Sequence, residues 1–175
     1  MRLFHVSEEC DIHIFEPRLP TRKDLDPAIG LVWAIDETRL SNFLTPRNCP
    51  RIGYHVGPNT NAEDRARFFL SPDVTHALVI EHKWYNLMQS TKLYLYEFDP
   101  ADFVLQDAVA GYYVAKKTQS PKQKHIVTDL FAELIARNVE IHITDNLWNF
   151  ADKVKISTLD WSLCRMAFAQ SRKEA

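Results

Sequence analysis

Alternating polar and hydrophobic residues, and short apolar runs, predict several β-strands along the chain. In LFHVS, residues 3–7, the alternation places Leu3, His5 and Ser7 on one face of a strand. Further strands are expected in GLVWAID, RIGYHVG, HALVIEH, KLYLYEF, ADFVLQD, GYYVAKK and VEIHIT. In VEIHIT the three aliphatic side chains are expected to point inward.

Other segments carry apolar residues at the three- and four-residue spacing of an amphipathic helix. The longest is SPKQKHIVTDLFAELIARN, in which Ser120 is the expected N-cap and Pro121 the first helical residue. Shorter helices are expected in DETRLSNFL, capped by Asp36, and in AEDRARFFL, where Thr60 and Glu63 form a capping box. A fourth is expected after VEIHIT. About four helices with partly consecutive strands predict the α+β class, with a mixed or largely antiparallel sheet.

The composition is that of a globular protein, with 46% hydrophobic and 25% charged residues in a chain of 175. We expect a single domain over residues 1–175, with a frayed tail at 170–175. The net charge of −2 does not favour nucleic acid as a partner, and no apolar stretch is long enough to span a membrane. Three widely spaced cysteines without CxxC, and the absence of a signal-peptide pattern in MRLFHVSEE, favour free thiols and a cytoplasmic location.

Several common site motifs are not present in the sequence. It contains neither GxGxxG nor GxxxxGK[ST], and its seven histidines show no HExxH spacing. We therefore expect no metal site. Candidate chemistry is confined to polar side chains on apolar strands and in loops.

Polar residues on two predicted strands are the first candidates. His5 and Ser7 share a half-apolar face, where they either line a pocket or are satisfied by nearby backbone, and Ser7 can also simply end its strand. Glu97 shares a strand face with Leu93 and Leu95, which is unusual for a carboxylate, and it is a candidate acid or base.

The segment PRNCPR is the densest polar cluster in the chain. Arg47 and Arg51 flank Cys49, where they are expected to bind an anion such as a phosphate or to lower the pKa of the thiol. A surface loop with solvated arginines is the alternative.

Over nearly the whole chain, FHVSEE, VWAID, PRNCPR, LYLYEFDPADF and GYYVAKK resemble an uncharacterised bacterial family, a domain of unknown function. More distantly, LFHVS, IFEPR and LVWAID resemble the opening segments of the ADP-ribosyltransferase-like fold. That resemblance implies NAD as cofactor, with His5 on its ribose and Tyr54 or Trp33 holding the nicotinamide. It also implies a glutamate that activates the ribose hydroxyl, but Tyr112 stands at that position and is a poor general base near neutral pH.

We therefore expect a protein that binds a small molecule or nucleotide, and acts on an ADP-ribose or other phosphate-containing ligand, in a cleft containing His5. The candidate catalytic residues are His5 and Glu97. The candidate ligand-binding residues are Ser7, Arg18, Trp33, Arg47, Arg51, Tyr54, Tyr112 and Tyr113. Two alternatives stay open: a catalytically silent binding module, and a protein-interaction domain that uses the aromatic strands LYLYEF and GYYV as an edge or patch.

Overall fold

The structure is a computed structural model that describes residues 1–20 and 25–172. In chain order its strands are β1 (Leu3–Ser7), β2 (Val32–Asp36), β3 (Arg51–His55), β4 (His76–Glu81), β5 (Leu93–Phe98), β6 (Val104–Asp107), β7 (Tyr112–Ala115), β8 (Gln123–Val127), β9 (Val139–Thr144) and β10 (Asp160–Cys164). Its α-helices are α1 (Ala62–Phe68), α2 (Tyr85–Ser90), α3 (Leu130–Ala136) and α4 (Trp148–Lys155). The described residues thus form four α-helices and two mostly antiparallel sheets, which confirms the α+β class. None of the helices in these residues is long and apolar enough to cross a membrane.

The chain divides into two compact units, each built on one sheet. Unit 1 comprises residues 1–43 and 92–127, and unit 2 comprises residues 44–91 and 128–175. Each unit is therefore assembled from two separate stretches of the chain. That the whole chain acts as one domain stays a prediction.

Unit 1 contains the six-stranded sheet, in the order β6-β7-β2-β1-β5-β8, with all its pairings antiparallel. Apolar side chains on one face form its core: Leu3, Val32, Ala34, Tyr96, Phe98 and Ala115, with Phe15 and Phe103 packed on them. The segment after β1 is held over this face by Tyr96, whose hydroxyl donates to the carbonyl of Glu9 at 2.7 Å and accepts from the amide of Ile12 at 3.1 Å. This places residues 9–18 beside the face that carries His5.

Unit 2 contains the four-stranded sheet, in the order β10-β3-β4-β9, in which only β4 and β9 are parallel. One face packs against α1 and α4. Its buried core consists of Ile52, Tyr54, Phe68, Phe69, Ala77, Val79, Leu147, Ala151, Val154 and Leu159. Ile52 and Tyr54 of β3, and Ala77 and Val79 of β4, direct their side chains into this core, whereas Ile141 and Ile143 of β9 lie on the other face of the sheet.

The predicted helix from Ser120 is wrong over its first half. Residues 123–127 form β8, which pairs with β5 from Leu93↔Val127 to Glu97↔Gln123. The helix starts at α3 instead, where the Asp129 carboxylate accepts from the amide of Ala132 at 2.9 Å. Pairing along a whole neighbouring strand outweighs the weak helix propensity of a short segment.

Other helix starts differ in detail from the sequence pattern. Asp36 does cap its turn, accepting from the amide of Arg39 at 3.0 Å, but the helix that follows is a short 3-10 helix, Leu40–Phe43. Asn61 caps α1 by accepting from the amide of Asp64 at 2.7 Å, so the predicted capping box at Thr60 is wrong. Asparagine and threonine one position apart compete for the same role, and only the backbone geometry decides between them.

The predicted tail is anchored at its start. The amide of Gln170 donates to the buried carboxylate of Glu81, 3.0 Å from Oε1, and its side chain donates to the carbonyl of Asp145. A buried carboxylate requires hydrogen-bond donors, and the backbone at residue 170 supplies one. Residues 173–175 of the predicted tail lie outside the described residues.

Candidate functional site

His5 lies on β1 among the unit 1 core residues and is half-buried. Its ring packs against Phe15, with 4.8 Å between the ring centroids, and its Nδ1 lies 3.1 Å from the carbonyl oxygen of Trp33. Because a carbonyl oxygen can only accept, Nδ1 carries the proton in this contact. The neutral ring then has a lone pair at Nε2, which can accept a hydrogen bond from a hydroxyl group.

Arg18 lies close enough to affect the charge of this ring. Burial lowers the pKa of His5 below its ordinary value, and the positive charge of Arg18 lowers it further. The backbone of Arg18 is fixed by two hydrogen bonds with Leu31, at 3.1 and 2.9 Å, whereas its side chain is exposed. No salt bridge joins Arg18 to a carboxylate among residues 1–20 and 25–172. The structure therefore places the exposed guanidinium of Arg18 on a segment bridged to the start of β2, the strand that pairs with β1.

Ser7 follows on the same face and ends the strand. Its hydroxyl oxygen accepts a hydrogen bond from the amide of Glu9 at 3.0 Å, which matches the strand-end alternative. The hydroxyl proton is not used in that contact.

The aromatic candidates of unit 1 divide between the two faces of the sheet. Tyr113 pairs with Ala34 and lies on the face of the imidazole, at the margin of the unit 1 core. Trp33 and Tyr112 lie on the other face, where their rings meet edge to face at 5.3 Å between centroids. The structure thus brings Tyr113 to the same face as His5, but not Trp33 or Tyr112.

Glu97 also lies on the other face, since it pairs with Phe4 in the β1–β5 register. Its carboxylate is buried and is bound by Arg2 at 2.7 Å, by Lys122 at 3.2 Å and by His125 at 3.2 Å. Hydrogen bonds from Arg2, and then from His125 and Lys122, lower the pKa of Glu97 to about 2. A carboxylate that stays ionised and has three donors is a poor general acid and a weak base.

The remaining candidates belong to unit 2, and two of them, Arg47 and Arg51, flank Cys49. Arg51 is buried and donates to the Cys49 carbonyl at 3.0 Å, whereas Arg47 is exposed. Burial raises the pKa of the Cys49 thiol to about 12, although Arg51 acts in the opposite direction. The expectation of a lowered thiol pKa at this residue is wrong, because removal from water outweighs the nearby charge.

Tyr54 is buried in the core of unit 2, where its side chain has a structural role. Its ring is in the unit 2 core, and its hydroxyl donates to the carbonyl of Phe68 at 2.6 Å and lies 3.2 Å from Nε2 of His142. Burial raises the pKa of this phenol above its usual range.

The aromatic segments proposed as interaction edges are interior strands. LYLYEF forms β5, which lies between β1 and β8, and GYYV falls in β7, which lies between β6 and β2. Neither strand has a free edge for a partner.

Sequence reasoning did not single out Phe15, which packs on His5, or the three groups that bind Glu97. Phe15 lies between the predicted strands LFHVS and GLVWAID, where no periodicity predicts its contacts. His125 could have been found only if KHIV had been interpreted as a strand beside LYLYEF.

Comparison with known proteins identifies a family for this chain. A family model described as "Family of unknown function (DUF6886)" matches residues 4–169, which is most of the chain. The chain belongs to the DUF6886 family. No curated protein and no solved structure matches it. Membership of DUF6886 confirms the expected domain of unknown function, whereas the resemblance to ADP-ribosyltransferases finds no support in these comparisons. A bacterial origin and a cytoplasmic location stay predictions.

Proposed function

We propose that this DUF6886 protein binds a small ligand that carries a phosphate and neighbouring hydroxyl groups, such as ADP-ribose or a nucleotide, at His5 and Arg18. The observation that carries the proposal is the placement of His5 and Arg18: Nδ1 of His5 lies 3.1 Å from the carbonyl oxygen of Trp33 on β2, and the exposed Arg18 is bridged through its backbone to Leu31, just before β2. A planar guanidinium binds phosphate oxygens through two parallel hydrogen bonds. Nε2 of the imidazole accepts a hydrogen bond from a ligand hydroxyl, and the Ser7 hydroxyl supplies a donor on the same strand face.

Binding without a reaction is the form of this function that we favour. Transfer at a ribose requires a carboxylate close to the bound sugar, and Glu97 lies on the other face of the sheet. Catalysis at this site would have to rely on His5 as its base. Mixing the protein with NAD and measuring released nicotinamide distinguishes the two: we expect no release above that of buffer.

A thermal-shift experiment with NAD, ADP-ribose and nucleoside phosphates tests the binding site. A ligand at a hundred times its Kd adds ~2.7 kcal/mol to the free energy of unfolding. For a chain of this length, that raises Tm by roughly 5–10 °C. We expect at least one of these ligands to stabilise the wild type, and Arg18→Gln and His5→Ala to reduce the shift.

Arg67→Gln is the matched control, because Arg67 is an exposed arginine on α1 of unit 2. It should leave the ligand-induced shift unchanged. If none of the ligands changes Tm, or if Arg18→Gln and Arg67→Gln give the same shift as the wild type, the proposed site is wrong.

A further inference from the structure

β9 is an edge strand without a lysine, a proline or a bulge, which are three of the features by which edge strands usually avoid pairing. It lies at one edge of the four-stranded sheet. The two edge strands of the six-stranded sheet are less suited to pairing, because β6 has only four residues and an irregular register with β7, and β8 contains Lys124. β10 runs into Arg165, whose left-handed backbone (φ 56°) ends the strand. The sequence of β9, VEIHIT, contains neither lysine nor proline, and its register with β4 is continuous. It is therefore the edge best suited to accept another strand.

An open groove of about 460 Å³ lies beside β9, on the sheet face that carries Ile141 and Ile143, and its lining includes the polar side chains of Gln89 and Asp129. Its other walls include Ile135 and the rings of Tyr85 and Phe131, whose centroids are 5.3 Å apart. Ile135 is 67% exposed and Ile143 is 45% exposed, although the alternation in VEIHIT predicts an inward-facing Ile143. Exposed aliphatic side chains next to a free strand edge are typical of an interaction surface.

The order of residues in β9 favours a second copy of the same strand as its partner. In an antiparallel pair, residues directly opposite each other share a face of the sheet. When two identical strands pair symmetrically, one residue therefore lies opposite its own copy, and the two-fold axis passes between these two residues. An axis at Glu140 places two carboxylates opposite each other, which is destabilising, and an axis at His142 places two imidazoles opposite each other. An axis at Ile141 pairs each Glu140 with the second copy's His142, and each Val139 with the second copy's Ile143.

We propose that two copies of this chain associate by antiparallel pairing of their β9 strands, centred on Ile141. Within one chain, Nε2 of His142 already lies 2.7 Å from Oε1 of Glu140. In the pair, each carboxylate lies between the imidazole of its own chain and that of the other. A two-fold axis perpendicular to the sheet keeps both grooves on the same face, so that each copy covers exposed isoleucines of the other.

Sedimentation velocity of the full chain, over a wide range of concentrations, tests this association. We expect the wild type to form a dimer, and Ile143→Lys to weaken association by roughly tenfold or more, because it places an ammonium group opposite Val139. Ile156→Lys is the matched control: Ile156 is 81% exposed, at the end of α4, and its replacement should leave the dimer intact. A wild type that is monomeric at every concentration, or a dimer that Ile143→Lys does not weaken, contradicts the proposal.

A cysteine cross-link tests the register independently. Position 141 lies opposite itself in the proposed pair, with Cα atoms about 4.5–5.5 Å apart, which suits a disulfide. In a Cys10→Ser background, which removes the exposed thiol, oxidised glutathione should take two hydrogens from a pair of Ile141→Cys chains and leave them covalently joined. Ile143→Cys lies opposite Val139 and should not cross-link. Cross-linking at 143 but not at 141 rejects the proposed register.

Discussion

His5 and Glu97 lie on opposite faces of the same sheet, although the sequence makes both candidates for one catalytic site. The register between β1 and β5 places His5 opposite Tyr96, and Phe4 opposite Glu97. Since neighbouring residues of a strand point to opposite faces, the sheet separates the imidazole from the carboxylate. The consequence is a division of roles: His5 belongs to the proposed ligand site, and Glu97 to a network of ion pairs.

The charge of Arg18 should be measurable at His5. Burial and the nearby guanidinium both lower the pKa of His5 from its ordinary 6.5. Arg18→Gln removes the second cause but not the first, so we expect a higher pKa that stays below 6.5. NMR titration of the imidazole measures it, with Arg67→Gln as a control that should change nothing. An identical titration in Arg18→Gln would mean that the guanidinium does not act on this ring.

The ionised carboxylate of Glu97 should stabilise the fold at pH values above about 4.5, where this carboxyl is ionised in the unfolded chain as well. The pKa of Glu97 is lowered from 4.5 in the unfolded chain to about 2 in the folded chain. The unfolded chain therefore binds a proton more readily than the folded chain, and the stabilisation is lost as the pH falls from 4.5 to about 2. At neutral pH, Glu97→Gln should lower the free energy of unfolding by about 2 kcal/mol, because it weakens charged hydrogen bonds to a buried group. Urea denaturation at several pH values measures both effects.

Glu37 provides a matched control for that measurement. It binds the same Arg2 at 2.6 Å, but its side chain is 42% exposed. Exposed ion pairs contribute little, so Glu37→Gln should cost less than about 1 kcal/mol. Equal losses in the two variants would show that burial of Glu97 is not what makes its ion pairs strong.

The Cys49 thiol should be unreactive in the folded protein. It is fully buried, and burial raises its pKa to about 12, so the thiolate is scarce at any ordinary pH. We expect a thiol reagent to label the exposed Cys10 in the native protein, and Cys49 only after unfolding. Mass spectrometry of the labelled peptides measures this. Rapid native labelling of Cys49 would restore it as a candidate nucleophile.

The start of α3 can be tested with the two residues that compete for its N-cap. Asp129 accepts the hydrogen bond from Ala132 in the structure, whereas the sequence pattern favours Ser120. Asp129→Ala should lower the free energy of unfolding by about 1 kcal/mol, and Ser120→Ala should leave it nearly unchanged. Chemical denaturation of both variants measures the difference, and the reverse order would support a helix that begins at Ser120.

Local patterns predict elements well where a short apolar run forms an interior strand and poorly where two structures share a pattern. The segments VWAID, RIGYH and LYLYEF match β2, β3 and β5, which are rich in apolar and aromatic residues and are buried on both faces. KHIV reads as helix from its neighbours but becomes a strand because β5 lies beside it. The same distinction applies to the candidate site. The spacing of His5 and Ser7 predicts that they share a strand face, whereas no local pattern predicts the position of Arg18.

The sequence by itself determined the class of the fold, most of its strands, and the position of His5 among apolar residues, because these depend on the period of neighbouring side chains. Tertiary structure decided which of these residues meet. It bridged Arg18 to Leu31 at the start of β2, directed Glu97 to the face opposite His5, and left β9 at the edge of its sheet. Strand order and register arise from contacts between residues that are distant in the chain, and no local pattern contains them.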